Sequence, residues 1–133
     1  MLRIILILIV ISIPTLARAS DWKYIGTDIS GNAFYVDTES VLIDGDTRTL
    51  WEYVILKEPS TIEDKIFYKA KAQHSINCAK RTSHLLVVNY LDSKGIMVYY
   101  GDYRAIFSDD PIIPDTIEDL TRKYVCSIKK SAE

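Results

Sequence analysis

Few side chains in this sequence could do chemistry, and its two histidines are the first to consider. His74 lies in a segment that alternates apolar and polar residues, on the apolar side of the alternation. A histidine in that position is more often a hydrogen-bonded core residue than a base or a ligand. His84 follows a basic turn, and no residue at metal-ligand spacing accompanies it. We therefore predict neither a catalytic base nor a metal site.

Two acidic pairs are the next candidates, because carboxylate oxygens are ligands that calcium prefers. The first pair is Asp44 and Asp46, and the second is Asp109 and Asp110, each close together in the sequence. Neither pair lies in a loop that would supply a full shell of oxygen ligands, and turn formation explains both. The sequence also contains no nucleophile motif, glycine-rich phosphate loop or zinc signature. We predict a protein that is not an enzyme and that holds no cofactor.

Four basic residues are candidates for binding rather than catalysis. Lys69 and Lys71 lie on the polar side of the segment that contains His74, and Lys80 and Arg81 follow in the next turn. Such a patch can steer association with an anionic or acidic protein partner. The alternative is a solvated sheet face without a partner. We take these four residues as the candidate partner-binding site.

The cysteines, Cys78 and Cys126, are far apart in the chain. In an exported protein two cysteines indicate one disulfide, and the alternative is a pair of free thiols. A bridge here would tie the C-terminal region to the strand that ends at Cys78. The chain-entropy description gives such a loop about 4 kcal/mol of stabilisation relative to the reduced unfolded chain.

Export is predicted from the N-terminus. Arg3 precedes an apolar run from Ile4 to Ile13, Pro14 ends the run, and Ala17-Arg18-Ala19 fits a small-x-small cleavage site. The run is too short to cross a bilayer, so we predict a signal peptide over residues 1–19, a single domain over residues 20–133 and no membrane insertion after cleavage. No cysteine follows the cut to carry a lipid.

The charge of the processed chain bears on its partners. Loss of Arg3 and Arg18 leaves 14 basic and 18 acidic residues, a net charge of −4. That charge and the exported location argue against nucleic acid. We predict a location in the periplasm, in the medium or on the cell surface.

The elements that must position these residues are mostly strands. Alternation and turn residues predict strands over the segments 22–26, 33–36, 47–57, 66–78, 85–91 and 96–100, with Pro59 ending the third. Trp51 in the third strand is expected to be buried and to serve packing. Asp115 and Glu118 match a capping box, and Ile117, Leu120 and Tyr124 share one helical face.

This order predicts an α+β fold, an antiparallel sheet of about six strands with one C-terminal helix on one face. The strands 85–91 and 96–100 are apolar on both faces. Their second face therefore needs cover, from the irregular stretch Tyr103 to Ile113 or from a second chain. We accordingly hypothesise a homodimer.

Several stretches together resemble the surface-adhesin protein E-like domain of Gram-negative bacteria. They are Trp22-Lys23-Tyr24-Ile25-Gly26, Phe34-Tyr35-Val36-Asp37, Leu50-Trp51, Cys78, Pro114 and Cys126. The resemblance covers Trp22 to Cys126. It implies a sheet of about six strands, a C-terminal helix tied to it by the two cysteines, and no enzymatic site. For the adhesin that gives the family its name, it implies binding of host matrix and serum proteins such as vitronectin, laminin and plasminogen.

The leading hypothesis is thus an exported, non-catalytic binding protein, adhesin-like, whose partner is a host extracellular-matrix or serum protein. The alternative is a periplasmic stress or inhibitor protein that binds another envelope protein or an intruding enzyme. Exposure on the cell surface favours the first, and retention in the periplasm favours the second.

Overall fold

The computed structural model of the chain describes residues 19–106 and 108–130. The predicted signal peptide therefore lies outside the described residues, except for Ala19. The elements in chain order are β1 (Trp22–Thr27), β2 (Ala33–Asp37), β3 (Leu42–Asp44), β4 (Thr47–Ile62), β5 (Lys65–Asn77), β6 (Thr82–Leu91), β7 (Met97–Asp102), β8 (Asp110–Pro111) and α1 (Ile117–Ser127). Within these residues no helix is long and apolar enough to cross a membrane.

The fold is the predicted α+β arrangement, an antiparallel sheet with a C-terminal helix. Six strands follow one another across the sheet in the order β1, β2, β4, β5, β6, β7, and each neighbouring pair is antiparallel. The other two strands are short, with β3 paired to β4 and β8 paired to β6. The predicted six strands form the main path, and the described residues contain two more.

The hairpin of β4 and β5 is longer than predicted, because Pro59 does not end β4. The strand continues to Ile62, and the two turn residues after it, Glu63 and Asp64, both have positive φ. The pairing register of β4 with β5 shifts around Pro59. Proline is tolerated at such an irregularity because the ladder does not need its missing N–H there.

The main core lies between α1 and one face of the sheet, which we call the helix side. Alternation along β2, β4 and β5 places Val36, Leu50 and Ile76 on this face, and each is at most 1% exposed. Val125 of α1 and Ile112, just before it in the chain, complete the cluster. A second cluster joins β5 to β6 on the same face through Ala70, Ala72 and Val88. We call the opposite sheet face the open face.

The segment after β7 runs along the edge of β6. The N–H of Tyr103 donates to the carbonyl of Leu86 at 2.8 Å, and that of Ile112 donates to the carbonyl of Arg81 at 2.9 Å. Tyr103 packs on the Ala70 cluster, and Ile112 is buried in the main core. The stretch Tyr103 to Ile113 was predicted to cover the second face of the sheet. Both of these side chains, however, lie on the helix side, together with α1.

Helix α1 begins later than predicted, since its cap is Thr116 rather than Asp115. Thr116 Oγ1 accepts a hydrogen bond from the N–H of Asp119, and Asp119 Oδ2 accepts one from the N–H of Asp115, both at 3.3 Å. Asp115 has a φ of 63°, outside the extended range that a capping residue adopts. Thr116 is therefore the capping residue, one position after the predicted Asp115, and the carboxylate that returns a bond is that of Asp119, which binds Asp115, rather than the predicted Glu118.

The buried face of α1 matches the predicted Ile117, Leu120 and Tyr124 only in part, since Tyr124 packs against the main core but Leu120 does not. Thr121 is 2% exposed and Val125 is fully buried, whereas Leu120 is 44% exposed. Positions four residues apart lie on one side of a helix, so Ile117, Thr121 and Val125 share the side that meets the sheet.

The predicted disulfide between Cys78 and Cys126 is present, with the two Cα atoms 5.9 Å apart. Cys78 directly follows β5, and its N–H donates to the carbonyl of Asp46. Because α1 continues through Ser127, Cys126 still belongs to the helix. It lies beside the buried side formed by Ile117, Thr121 and Val125, and it reaches the sheet from there. The bridge thus joins the end of β5 to the last turn of the helix.

Candidate functional site

The open face carries a straight row of side chains that crosses six strands. From β1 to β7 the row contains Tyr24, Tyr35, Tyr53, Lys71, Asn89 and Tyr100, each the direct pairing partner of the next. Alternation sends these side chains away from the helix side, since the buried Leu50 and Ile76 have the opposite parity on β4 and β5. The end residues Tyr24 and Tyr100 are 52% and 49% exposed.

Aromatic contacts hold the first half of this row together. The ring centroids of Tyr35 lie 5.5 Å from Tyr24 and 6.4 Å from Tyr53, and Trp22 lies 5.4 Å from Tyr53. Lys71 Nζ lies 5.4 Å from the ring of Tyr53 and 5.8 Å from that of Trp22. These spacings suit tilted aromatic pairs and cation–π contacts. The result is an ordered aromatic surface with a positive charge held over its rings.

The structure divides the four predicted partner-binding residues into two pairs. Lys69 and Lys71 are half-buried and belong to the open face of β5. Lys80 and Arg81 are exposed in the turn between β5 and β6. Since Lys71 precedes Asn77, the last residue of β5, by six positions, about 20 Å of strand separates the two pairs. They form two charged surfaces rather than one.

The helix side contains a cleft of about 660 Å³ between the first half of α1 and strands β2, β4 and β5. Phe34, Ile76 and Ile117 give it apolar walls. Glu52 and His74 line its inner part, with side chains that are 12% and 23% exposed. The cleft therefore combines a mostly apolar lining with two largely buried ionisable groups.

Glu52 and His74 are neighbours on β4 and β5, with Oε1 and Nε2 3.7 Å apart. The Thr121 hydroxyl of α1 donates to Glu52 Oε2 at 3.4 Å. Burial, with repulsion from Glu118, raises the pKa of Glu52 to about 7. Burial, with repulsion from His84, lowers the pKa of His74 to about 4. Both shifts favour the uncharged forms, so between pH 4 and pH 7 the two side chains form a neutral contact despite their ion-pair distance.

Three further carboxylates line the cleft: Asp28, Asp115 and Glu118. Glu118 accepts a hydrogen bond from the hydroxyl of Ser83 on β6. Asp28 accepts hydrogen bonds from the backbone N–H groups of Ser30 and Asn32 and from the Asn32 amide, which lower its pKa and keep it ionised. Apart from His74, the ionisable groups that line the cleft within the described part of the chain are thus all acidic.

The remaining candidates from the sequence have structural surroundings. His84 holds the segment beside β6, with its ring nitrogens 2.7 Å from the carbonyl oxygen of Ser108 and 3.2 Å from that of Tyr103. Asp44 ends β3 at its turn, and Asp110 begins β8. In residues 19–106 and 108–130, no three histidine, cysteine, aspartate or glutamate side chains come together as a metal site.

Glu52 is the site residue that the sequence reasoning did not single out. It occupies an apolar side of β4, between Leu50 and Val54, and a carboxylate in such a position is a signal of its own. His74 was expected to be a core residue, and the structure places it in the lining of the cleft beside Glu52.

Comparison with known protein families decides the identity of the fold. The profile described as surface-adhesin protein E matches residues 22–127, most of the chain and all of its main elements. The chain belongs to the surface-adhesin protein E family. The resemblance seen in the sequence is thereby confirmed, and the match spans the sheet, the helix and both cysteines of the family domain.

Solved structures of Haemophilus influenzae protein E share the fold of this family member. Crystal form II of that protein has a TM-score of 0.60 and 17% identity, and the match covers 84% of this chain and 94% of that one. Protein E from non-typeable Haemophilus influenzae has a TM-score of 0.56 and 17% identity, with 86% and 80% covered. At such identities the likeness concerns the fold. No curated protein matches the chain in sequence.

Proposed function

We propose that this protein is an exported, non-catalytic, adhesin-like protein that binds a protein partner on the open face of its sheet. The observation that carries the proposal is the aromatic row with Lys71 at its centre. Membership of the surface-adhesin protein E family supports it. By the same analogy, the partner is a host extracellular-matrix or serum protein.

The composition of the open face suits a protein–protein contact. Tyrosine and tryptophan supply large contact areas with little side-chain entropy to lose, and they are enriched at the centres of interfaces. Their mutual contacts already order the rings of Tyr24, Tyr35 and Tyr53 before any partner arrives. Lys69 and Lys71 add positive charge, which favours an acidic patch on the partner.

The test compares two charge reversals of equal size. In one variant Lys69 and Lys71 on the open face become glutamate, and in the other Lys80 and Arg81 in the turn become glutamate. We expect the first to weaken binding about tenfold and to reduce its salt dependence, because both charges lie on the proposed contact surface. The second is the matched control and should bind as wild type. Surface plasmon resonance against vitronectin, laminin and plasminogen measures both.

Equal loss of affinity in the two variants would contradict a site confined to the open face. Unchanged affinity in the folded Lys69/Lys71 variant would exclude that face altogether. Loss in the turn variant alone would move the site to Lys80 and Arg81, which the sequence analysis also named. Circular dichroism establishes that each variant is folded before its affinity is interpreted.

A second copy of the chain is the competing occupant of the open face, as the homodimer hypothesis requires. Light scattering at high protein concentration gives the mass directly. A dimer mass that falls to a monomer mass in the Lys69/Lys71 variant would assign the face to self-association, whereas a monomer mass throughout would leave it free for another protein.

A further inference from the structure

The cleft on the helix side has no role in the open-face proposal, and its chemistry points to a small ligand. Its volume of about 660 Å³ lies within the range of pockets that hold drug-sized molecules. Apolar walls with a few converging polar groups are the usual composition of such sites. Phe34 and Ile117 are the walls, and Glu52 is the convergent polar group.

We propose that this cleft binds a small organic cation, an ammonium or amidinium group on a hydrocarbon or aromatic body, with the charged group at Glu52 and the body on Phe34 and Ile117. Phe34 is the aromatic side chain among the lining residues, and an aromatic ring can contact either part of such a ligand.

The charges of the lining select the sign of the ligand. Among the residues that the structure describes, four carboxylates and one histidine line the cleft, and no lysine or arginine does. The two basic side chains of α1 nearest its start, Arg122 and Lys123, pair with Asp119, which does not line the cleft. Among the described side chains of the lining, an anion would therefore find no cationic partner above pH 4, where His74 is uncharged. The start of α1 does not offset this, because Glu118 and Asp119 already occupy its first turn.

The arrangement of the carboxylates selects an organic cation over a metal ion. Among the described residues no three acidic, histidine or cysteine side chains lie close enough to share a metal. A ligand that buries an apolar body and presents one charged group would match both the apolar walls and the carboxylates of the lining. An apolar body alone would leave the largely buried Glu52, once it is ionised, without a counter-charge.

Glu52 is the group whose free energy would change most on binding. Its raised pKa reflects burial without a cationic partner. An ammonium group within hydrogen-bond distance would stabilise the carboxylate and release the proton that the free protein holds below pH 7. Binding should therefore be linked to pH through Glu52, with Glu118, Asp28, Asp115 and His74 as the other ionisable groups of the lining.

The experiment is isothermal titration calorimetry with three probes of one shape: benzylamine, benzyl alcohol and benzoate. At pH 8 we expect benzylamine to bind at least about tenfold more tightly than benzyl alcohol, since a hydrogen bond to a charged group is worth roughly 1.5–3 kcal/mol. Benzoate should not bind. At pH 5.5 benzylamine should bind more weakly, by up to about thirtyfold, because only a few per cent of Glu52 is ionised there if its pKa is about 7.

The Glu52→Gln variant keeps the shape of the site and removes its charge. We expect it to lose the preference for benzylamine over benzyl alcohol and the pH dependence of binding. Glu58→Gln, an exposed change on the same strand, is the matched control and should behave as wild type. Equal affinity for the amine and the alcohol, an unaltered Glu52→Gln variant, or no heat with millimolar benzylamine would each overturn the proposal. None of these outcomes depends on whether the open face binds a protein.

Discussion

Leu50 and Trp51 are neighbours on β4 whose side chains point to opposite faces of the sheet. Leu50 is fully buried in the main core, whereas Trp51 is only half-buried and lies on the open face. The expectation that Trp51 is the buried packing residue was therefore wrong, because the side chain that alternation sends under α1 is that of Leu50. The larger aromatic residue lies on the face that α1 does not cover.

This division predicts unequal effects of truncation. Leu50→Ala should lower the free energy of unfolding by about 2–5 kcal/mol, because it leaves a cavity where the helix meets the sheet. Trp51→Ala should cost less, since water already reaches part of the ring. Urea unfolding of the two variants, one residue apart, measures the difference. A greater loss for Trp51→Ala would contradict the assigned faces.

Glu52 predicts a pH-dependent stability with a definite sign. Its folded-state pKa, raised from 4.5 to about 7, lies above its unfolded value, so this residue contributes stability below pH 4.5 that is lost as pH rises to 7. His74 acts in the opposite direction. Its folded-state pKa is lowered from 6.5 to about 4, so its contribution is present above pH 6.5 and is lost as pH falls towards 4.

Glu52→Gln should therefore stabilise the protein more at pH 8 than at pH 4.5. The difference in the free energy of unfolding between variant and wild type should grow by up to about 3 kcal/mol over that range, because glutamine cannot ionise. Urea titrations at several pH values measure it, with Glu58→Gln as the exposed control. A difference that is flat with pH, or that shrinks towards pH 8, would refute a raised pKa.

At the scale of elements, the disulfide and the cap together position α1. Thr116 and Asp119 begin the helix, and the Cys78–Cys126 bridge holds its last turn to the end of β5. An isolated helix of 11 residues is marginal in water, so tertiary contacts must stabilise it. Gly26 of β1 allows the helix to pack closely on the sheet, because a Cβ at that position would lie only 3.0 Å from Ile117 Cδ1.

Loss of the bridge should destabilise the fold through the helix. Replacement of Cys78 and Cys126 by serine should lower the free energy of unfolding by about 4 kcal/mol, the value that the chain-entropy description gives for a loop of this length. Amide exchange should rise first in α1 and less in β4 and β5. Wild type under a reductant is the second measurement and should match the double variant; an unchanged melt in both would contradict the role of the bridge.

At the scale of the whole molecule, the two faces of the sheet are assigned different tasks. The helix side holds the core and the cleft, and the open face presents the aromatic row. A partner on the open face requires that this face be accessible in the cell. Location is therefore the property that distinguishes an adhesin-like protein from a periplasmic inhibitor, the alternative raised by the sequence.

Protease shaving of intact cells tests the location. We expect a C-terminal tag to be removed from the full chain while a periplasmic marker survives, because an adhesin-like role requires exposure. Protection of both would confine the protein to the periplasm and favour the periplasmic alternative. Loss of both would mean broken cells and calls for repetition under milder treatment.

The sequence by itself predicted the six main strands, the disulfide and the family, because alternation, the number of cysteines and short motifs can all be read directly along the chain. Period-two alternation predicts strands, and the two cysteines of the sequence have only each other as partners within the chain. It also placed Lys69 and Lys71 on one face of β5, because parity along a strand is local information.

The tertiary structure alone decided which face is covered, which residue caps α1 and how the site is assembled. Leu50 and Trp51 alternate equally well in either orientation, and only the docking of α1 chooses between the two faces. The cleft likewise draws Glu52 from β4, His74 from β5 and Glu118 from α1. Contacts between residues so far apart in the chain depend on strand order and helix packing, for which local alternation carries no information.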